Sequence, residues 1–120
     1  MTRKTKEQIR AYINSGAVNK NLNAGNQNKH FAGHPSHIGT KSLLYGDMST
    51  AQALVDMYGG TGDPLLRHDG TWNNKERIIG DKIIGIHINP ETGIGTPTTN
   101  FIIHYGDAGA HVIPANPKGW

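Results

Sequence analysis

In two runs, residues 82–88 and 99–106, large apolar side chains return at every second position. That alternation limits the fold more than any other feature of the chain. In DKIIGIHINP, residues 81–90, Ile84, Ile86 and Ile88 fall on one side and Ile83, Gly85 and His87 on the other. In TNFIIHYG, residues 99–106, Phe101, Ile103 and Tyr105 face one way and Asn100, Ile102 and His104 the other. A period of two belongs to half-buried strands. RIIG precedes this segment and AHVIP follows it, with the turn sequences PETG and GDAG between the runs. Three or four antiparallel strands are predicted between about residues 73 and 115.

Ahead of residue 72 the apolar period is helical. TKEQIRAYINS, residues 5–15, puts Ile9, Tyr12 and Ile13 on one face, and Gly16 can end the helix. MSTAQALVDMYGG, residues 48–60, predicts a second helix. Ser49 would be its N-cap, Ala53, Leu54 and Met57 would share a side, and Gly59 and Gly60 would stop it. Residues 17–41 read as a long polar loop, of a length that is more often functional than idle. Helices first and a meander afterwards predict an α+β domain. A helical and loop part, about residues 1–72, would pack on one face of a C-terminal antiparallel sheet of about four strands. The 120 residues fit one domain, and 35% hydrophobic content with 16 glycines predicts a modest core and many loops.

Composition removes several classes of function. The chain has no cysteine, so disulfides, thiol nucleophiles and thiolate metal sites are excluded. No apolar run approaches the ~20 residues that span a bilayer, and MTRKTKEQIR lacks the apolar stretch of a secretory signal. Membrane insertion by this domain is therefore not expected, and any export would depend on sequence outside it. A formal charge of +3 and a pI near 9.3 suit a polyanionic partner, either nucleic acid or an acidic protein.

Three of the seven histidines crowd into NQNKHFAGHPSH, residues 26–37, where Lys29 precedes His30 and His34 and His37 follow. The spacing could serve zinc on a helix, but Gly33 and Pro35 oppose a helix, and no HExxH glutamate or cysteine pair accompanies it. The reading favoured for His34, His37 and His68 is solvated loop histidine. The strand histidines differ. His104 lies on the face away from Phe101 and Ile103, with Asn100 and, by period two, Thr98, and an antiparallel neighbour could bring His111 alongside.

Such a group suits RNA cleavage without a metal. The 2′-hydroxyl must lose a proton to attack the adjacent phosphorus, and the leaving 5′-oxygen must gain one. Histidine serves both steps because it titrates near neutrality. The phosphorane needs positive charge, which Lys29, Lys41 or Arg77 could supply. Two other readings compete. One is a non-catalytic binding module of a phage-structural or adhesin protein, and the other is a metal-dependent hydrolase using the histidine-rich loop.

The order QNKHFAGH, KSLLYGD, AQALVDMYGGTG, TWNNKERI, DKIIGIHINPETG, TPTTNFIIHYGDAGAHVIPA resembles the bacterial polymorphic toxin type 50 family over about residues 27–115. That resemblance implies a ribonuclease toxin of the barnase, EndoU, colicin and RelE-like nuclease group. It also implies the fold of that group, N-terminal helices followed by a four-stranded antiparallel sheet. The family's motifs fall on Lys29, His30 and Gly33; on Lys41 and Ser42; on Asn74, Lys75 and Glu76; on Thr99 and Asn100; on Ile103, His104 and Tyr105; and on Gly109, His111 and Pro114. The chain departs from the pattern at Gly106-Asp107-Ala108, where relatives carry Ser-Lys-Lys, and in HPSHIGT between Gly33 and Lys41.

The resemblance implies His30 and His111 as the acid/base pair, with either in either role. Lys29 would bind the scissile phosphate, Thr99 and Asn100 would orient it, and His104 or Tyr105 would support the site. Lys41, Ser42, Glu76 and Arg77 would contact substrate. Glu76 is an alternative base, against the plainer reading of a solvated strand-end carboxylate. No cofactor is expected. The expected partners are RNA, transfer RNA among the candidates, and a small acidic immunity protein. The domain would travel as the C-terminal part of a larger secreted or prophage-associated toxin to the target-cell cytoplasm.

Overall fold

The computed structural model describes residues 4–31 and 41–118. Three helices and seven strands follow one another as α1 (Lys6–Asn14), α2 (Ala24–Asn28), β1 (Leu43–Leu44), α3 (Met48–Tyr58), β2 (Asp63–Leu66), β3 (Trp72–Ile79), β4 (Gly85–Ile88), β5 (Gly95–Thr98), β6 (Asn100–Gly106) and β7 (Gly109–Pro114). The α+β expectation is met, but with two antiparallel sheets in place of one. One is four-stranded, in the order β2-β3-β6-β7, and the other three-stranded, in the order β1-β4-β5. β1 and β2 lie in the part expected to hold only helix and loop.

The chain passes from the small sheet to the large one at Thr98–Asn100. Thr98 Oγ1 donates to the Ala115 carbonyl at 2.7 Å and accepts from the Asn100 N–H at 3.0 Å. These bonds satisfy backbone groups that neither ladder reaches at the switch. In the small sheet β4 runs so close to β1 that a Cβ on Gly85 would lie 2.1 Å from the Leu43 carbonyl oxygen.

Period two places Phe101, Ile103 and Tyr105 of β6 in the core, as the alternation requires. Ala110 and Val112 of β7 join them, and α1 and α3 cover this face with Ile9, Ile13, Ala51 and Val55. α1 starts where expected, with Thr5 in a capping box with Gln8. α3 begins at Asp47, not Ser49, because the Asp47 carboxylate accepts the Thr50 N–H. Its buried face is Ala51 and Val55 rather than Ala53, Leu54 and Met57, and Met57 is 66% exposed.

Glu76 is not a solvated strand-end carboxylate. It is fully buried on the core face of β3, where its two oxygens accept the Gly60 and Gly62 N–H groups at 2.9 and 2.8 Å and the Tyr105 hydroxyl at 2.8 Å. This carboxylate ties the end of α3 and the start of β2 to the centre of the large sheet. Truncation would orphan three buried donors, each costly in a low-dielectric interior. Glu76→Ala is expected to lose on the order of 3 kcal/mol or more in urea unfolding. A loss under about 1 kcal/mol would contradict the role assigned to it.

Candidate active site at the edge of the large sheet

Opposite the helices, the large sheet presents the other half of each strand's alternation. Register pairs Lys75 with His104 and His104 with His111, so these three form one row across β3, β6 and β7. Arg77, Ile102 and Ile113 form the next row. The imidazoles of His104 and His111 lie 5.1 Å apart, centre to centre.

The row continues beyond β7 through His30, whose ring stacks on His111 at 5.9 Å and 19°. His30 belongs to the turn after α2, and the docking of that short polar helix is what delivers it. The Gln27 side chain, fully buried, donates to the Val112 carbonyl at 3.0 Å and accepts the Val112 N–H at 2.6 Å. An amide thus pairs with the edge of β7 as another strand would. Upstream, Ala110 N–H donates to the Asn21 carbonyl, and Asn23 N–H to the Ala110 carbonyl. His30 follows one turn later, its N–H on the Gln27 carbonyl.

The His30 ring is held by the Ser42 carbonyl, 2.8 Å from Nδ1. A carbonyl only accepts, so Nδ1 carries the proton in this bond. The Ser42 hydroxyl in turn accepts the Ile88 N–H at 3.0 Å, linking His30 to the small sheet. Between the two sheets lies a cleft of about 540 Å³ lined by His30, Lys41, Ser42, His87, His111 and Ile113, among others.

Burial holds His111 down to about 4, helped by the charges of His104, His30, Lys29 and Lys41. His104 is lowered too, by burial and then by Lys75. The centre of the row is thus held toward the neutral form, with lysines at its margins.

The other expected site residues divide. Lys29, His30, Lys41, Ser42, His104 and His111 come together. Tyr105 and Glu76 lie on the opposite face of the sheet, and burial followed by the Glu76 charge raises the Tyr105 hydroxyl far above its usual range. Asn100 shares the histidine face but sits beyond Ile102, where its amide donates to the Asn116 carbonyl at 3.2 Å and accepts from Thr99. Asn100 and Thr99 thus hold the C-terminal tail along the cleft. Arg77 pairs with Asp63 at 3.3 Å. His34 and His37, with Gly33, lie outside the described residues. Among the described residues, no three His, Asp or Glu side chains are grouped to hold a metal ion. Lys75 and His87 were not expected in the site. Lys75 could have been found by pairing the alternation of β3 with that of β6, whereas His87 needed the second sheet.

Residues 22–114 match the model of the family described as bacterial toxin 50. The chain belongs to the bacterial toxin 50 family. The match opens at Leu22, which bridges to Ala110, and closes at Pro114, the end of β7. It therefore spans both sheets, the Gln27 dock and all three histidines of the row, while α1 lies outside it. No curated protein matches the chain. No helix among the described residues is long and apolar enough to cross a membrane.

Two outcomes follow for this toxin site. Folded His111 stays neutral down to about 4, while the unfolded imidazole titrates near 6.5. Between those values the unfolded chain binds the extra proton, so stability falls as pH drops from 6.5 toward 4 and levels off below. His111→Gln should remove ~1–2 kcal/mol of that slope, a figure already reduced for the partial exposure of the ring. Imidazole NMR titration should also show inorganic phosphate raising the His111 pKa, and an unchanged value would contradict the anion site.

The second outcome concerns the dock. Gln27→Ala leaves the Val112 N–H and C=O unpaired and releases His30. It should cost ~2–4 kcal/mol and abolish the mutual ring-current shifts of His30 and His111. A variant that retains those shifts would refute the positioning role.

Proposed function

We propose that this toxin domain is an endoribonuclease that cleaves RNA by attack of a 2′-hydroxyl on the adjacent phosphorus. The observation that carries the reading is the stack of His30 on His111 beside a cleft lined by Lys41, with the Lys29 charge also acting on His111. Two imidazoles at one phosphate can take one proton and give another, so the step needs no metal.

His111, neutral at rest, accepts the 2′-hydroxyl proton as the 2′-oxygen bonds to phosphorus. His30, protonated on Nε2 and held by the Ser42 carbonyl through Nδ1, gives its proton to the departing 5′-oxygen. The products are a 2′,3′-cyclic phosphate and a 5′-hydroxyl end, and the protons exchange back through solvent. The phosphodiester charge brings His111 up from its low resting value toward useful basicity, so catalysis depends on the substrate being bound. Lys29 and Lys41 stabilise the charge that builds on the phosphorane. His104 is a positioning residue that packs against His111. Lys75, at the other end of the row, extends the cationic track for the RNA backbone.

A producer of such an enzyme needs protection. A small acidic immunity protein over the cationic histidine face would supply it, binding more slowly as salt rises. Export as part of a larger toxin and action on cytoplasmic RNA complete the proposal.

The test is incubation of the purified domain with total cellular RNA, with and without EDTA, and mapping of the ends. His30→Ala and His111→Ala should keep the circular dichroism of the parent and lose at least ~10²-fold in rate. His34→Ala and His37→Ala should lose less than about tenfold. Loss of activity in EDTA, with His34 and His37 as important as His30, would favour a metal-dependent hydrolase on the loop. A folded His111→Ala domain cleaving at the parental rate would defeat the assignment. No turnover at any enzyme concentration would favour a binding module.

A further inference from the structure

Beside His104 lies a second cavity, of about 460 Å³, lined by Tyr12, Trp72, Asn74, His104, Tyr105 and Asp107 among others. We infer that this cavity seats a nucleobase of the RNA, adjoining the scissile phosphate; the inference rests on the ribonuclease reading above. Its volume falls within the ~300–1,000 Å³ of small-ligand pockets.

Its chemistry differs from that of the cleft. The cleft offers imidazoles and lysines, which suit phosphate. Here the wall is aromatic, with Tyr12 and Trp72 edge to face at 6.4 Å and Trp72 tilted against Tyr105 at 5.7 Å. Aromatic walls bind the faces of bases. The Asp107 carboxylate opposes a second phosphate and accepts N–H groups from a base edge. His104 links the two spaces, since it lines this cavity and its ring contacts His111, which lines the cleft. A base in one space and its phosphate in the other would therefore be bridged by the His104–His111 pair.

The backbone here is shaped for an outward-pointing residue. β3 pairs Lys75 with Leu65 but Trp72 with Leu66, so Asn73 and Asn74 are extra residues that bulge from the ladder. The Trp72 indole N–H closes the bulge on the Lys75 carbonyl at 2.9 Å. Asn74 is held at φ 59°, the one non-glycine residue with positive φ among those described. Among the described residues its amide has no hydrogen-bond partner. A strained, exposed amide with both donor and acceptor, aimed into an aromatic cavity, fits recognition of a base edge.

The experiment uses the full chain with Trp120→Phe, which leaves Trp72 as its only indole. The probes are the four nucleoside 3′-monophosphates, with inorganic phosphate and ribose 5-phosphate as controls, and the readout is Trp72 fluorescence. At least one nucleotide should quench it while the controls do not. Asn74→Gly keeps the left-handed backbone at lower strain, so the fold is safe, and it should weaken that nucleotide about tenfold. Tyr12→Ala, on the exposed face of α1, should do the same.

The inference is overturned if no nucleotide quenches at millimolar concentration, if phosphate alone quenches equally, or if both variants bind with parental affinity. RNA cleavage measured in parallel separates the two readings. Base-dependent quenching without cleavage defeats the ribonuclease and leaves the base pocket standing. Cleavage with base-independent quenching defeats the pocket alone.

Discussion

The pairing of the Gln27 amide with both backbone groups of Val112 is the contact on which the site depends. Edge strands leave N–H and C=O groups unpaired, and such groups invite association with other chains. Here the edge of β7 is closed by a side chain from a helix too short to be stable alone. The helix is kept by the bonds it makes, and the strand is kept by the helix. His30 follows within one turn, so a device that protects a sheet edge also sets an imidazole over His111.

The large sheet divides its two faces sharply. One carries an apolar core in which a single carboxylate, Glu76, collects three donors and fastens the end of α3. The other carries Lys75, His104 and His111 in register. Neighbouring residues on one strand thus serve opposite ends. Tyr105 supports Glu76 within the core, while His104, one position before it, faces the site. A slip of one residue in the pairing of β6 would exchange the two sets and destroy both.

Electrostatics gives the histidine face its direction. Burial depresses His111, and four cationic or titratable neighbours depress it further. On the ribonuclease reading proposed above, a phosphodiester there would replace repulsion with attraction, and a poor base would become a better one in the complex. On the same reading the cationic cleft would take the phosphate, and the aromatic cavity with its acidic rim a base.

Alternation was legible in the sequence. It placed Phe101, Ile103 and Tyr105 in the core, set His104 opposite them, and allowed His111 to stand beside His104. The helical spacing of Ile9 and Ile13, with Gly16 behind them, also marked α1, because a helical period needs only neighbouring residues. What pattern could not supply was which strands share a sheet. RIIG and GIHI read alike, yet β3 joins one sheet and β4 the other, since that choice turns on the close approach of β1 to Gly85 and the switch at Thr98.

Polar contacts over long sequence separation were equally silent. Gln27 and Glu76 are polar residues in polar stretches, and only a partner 85 positions away for Gln27, or a donor set from the α3–β2 connection and β6 for Glu76, makes them core. By itself, then, the sequence determined the strand-rich second half, the first helix and the candidate histidines, because these follow from local period and residue chemistry. Tertiary structure alone decided the division into two sheets, the burial of Glu76 and the arrival of His30 at His111, because each depends on hydrogen bonds between segments whose separation no local pattern records.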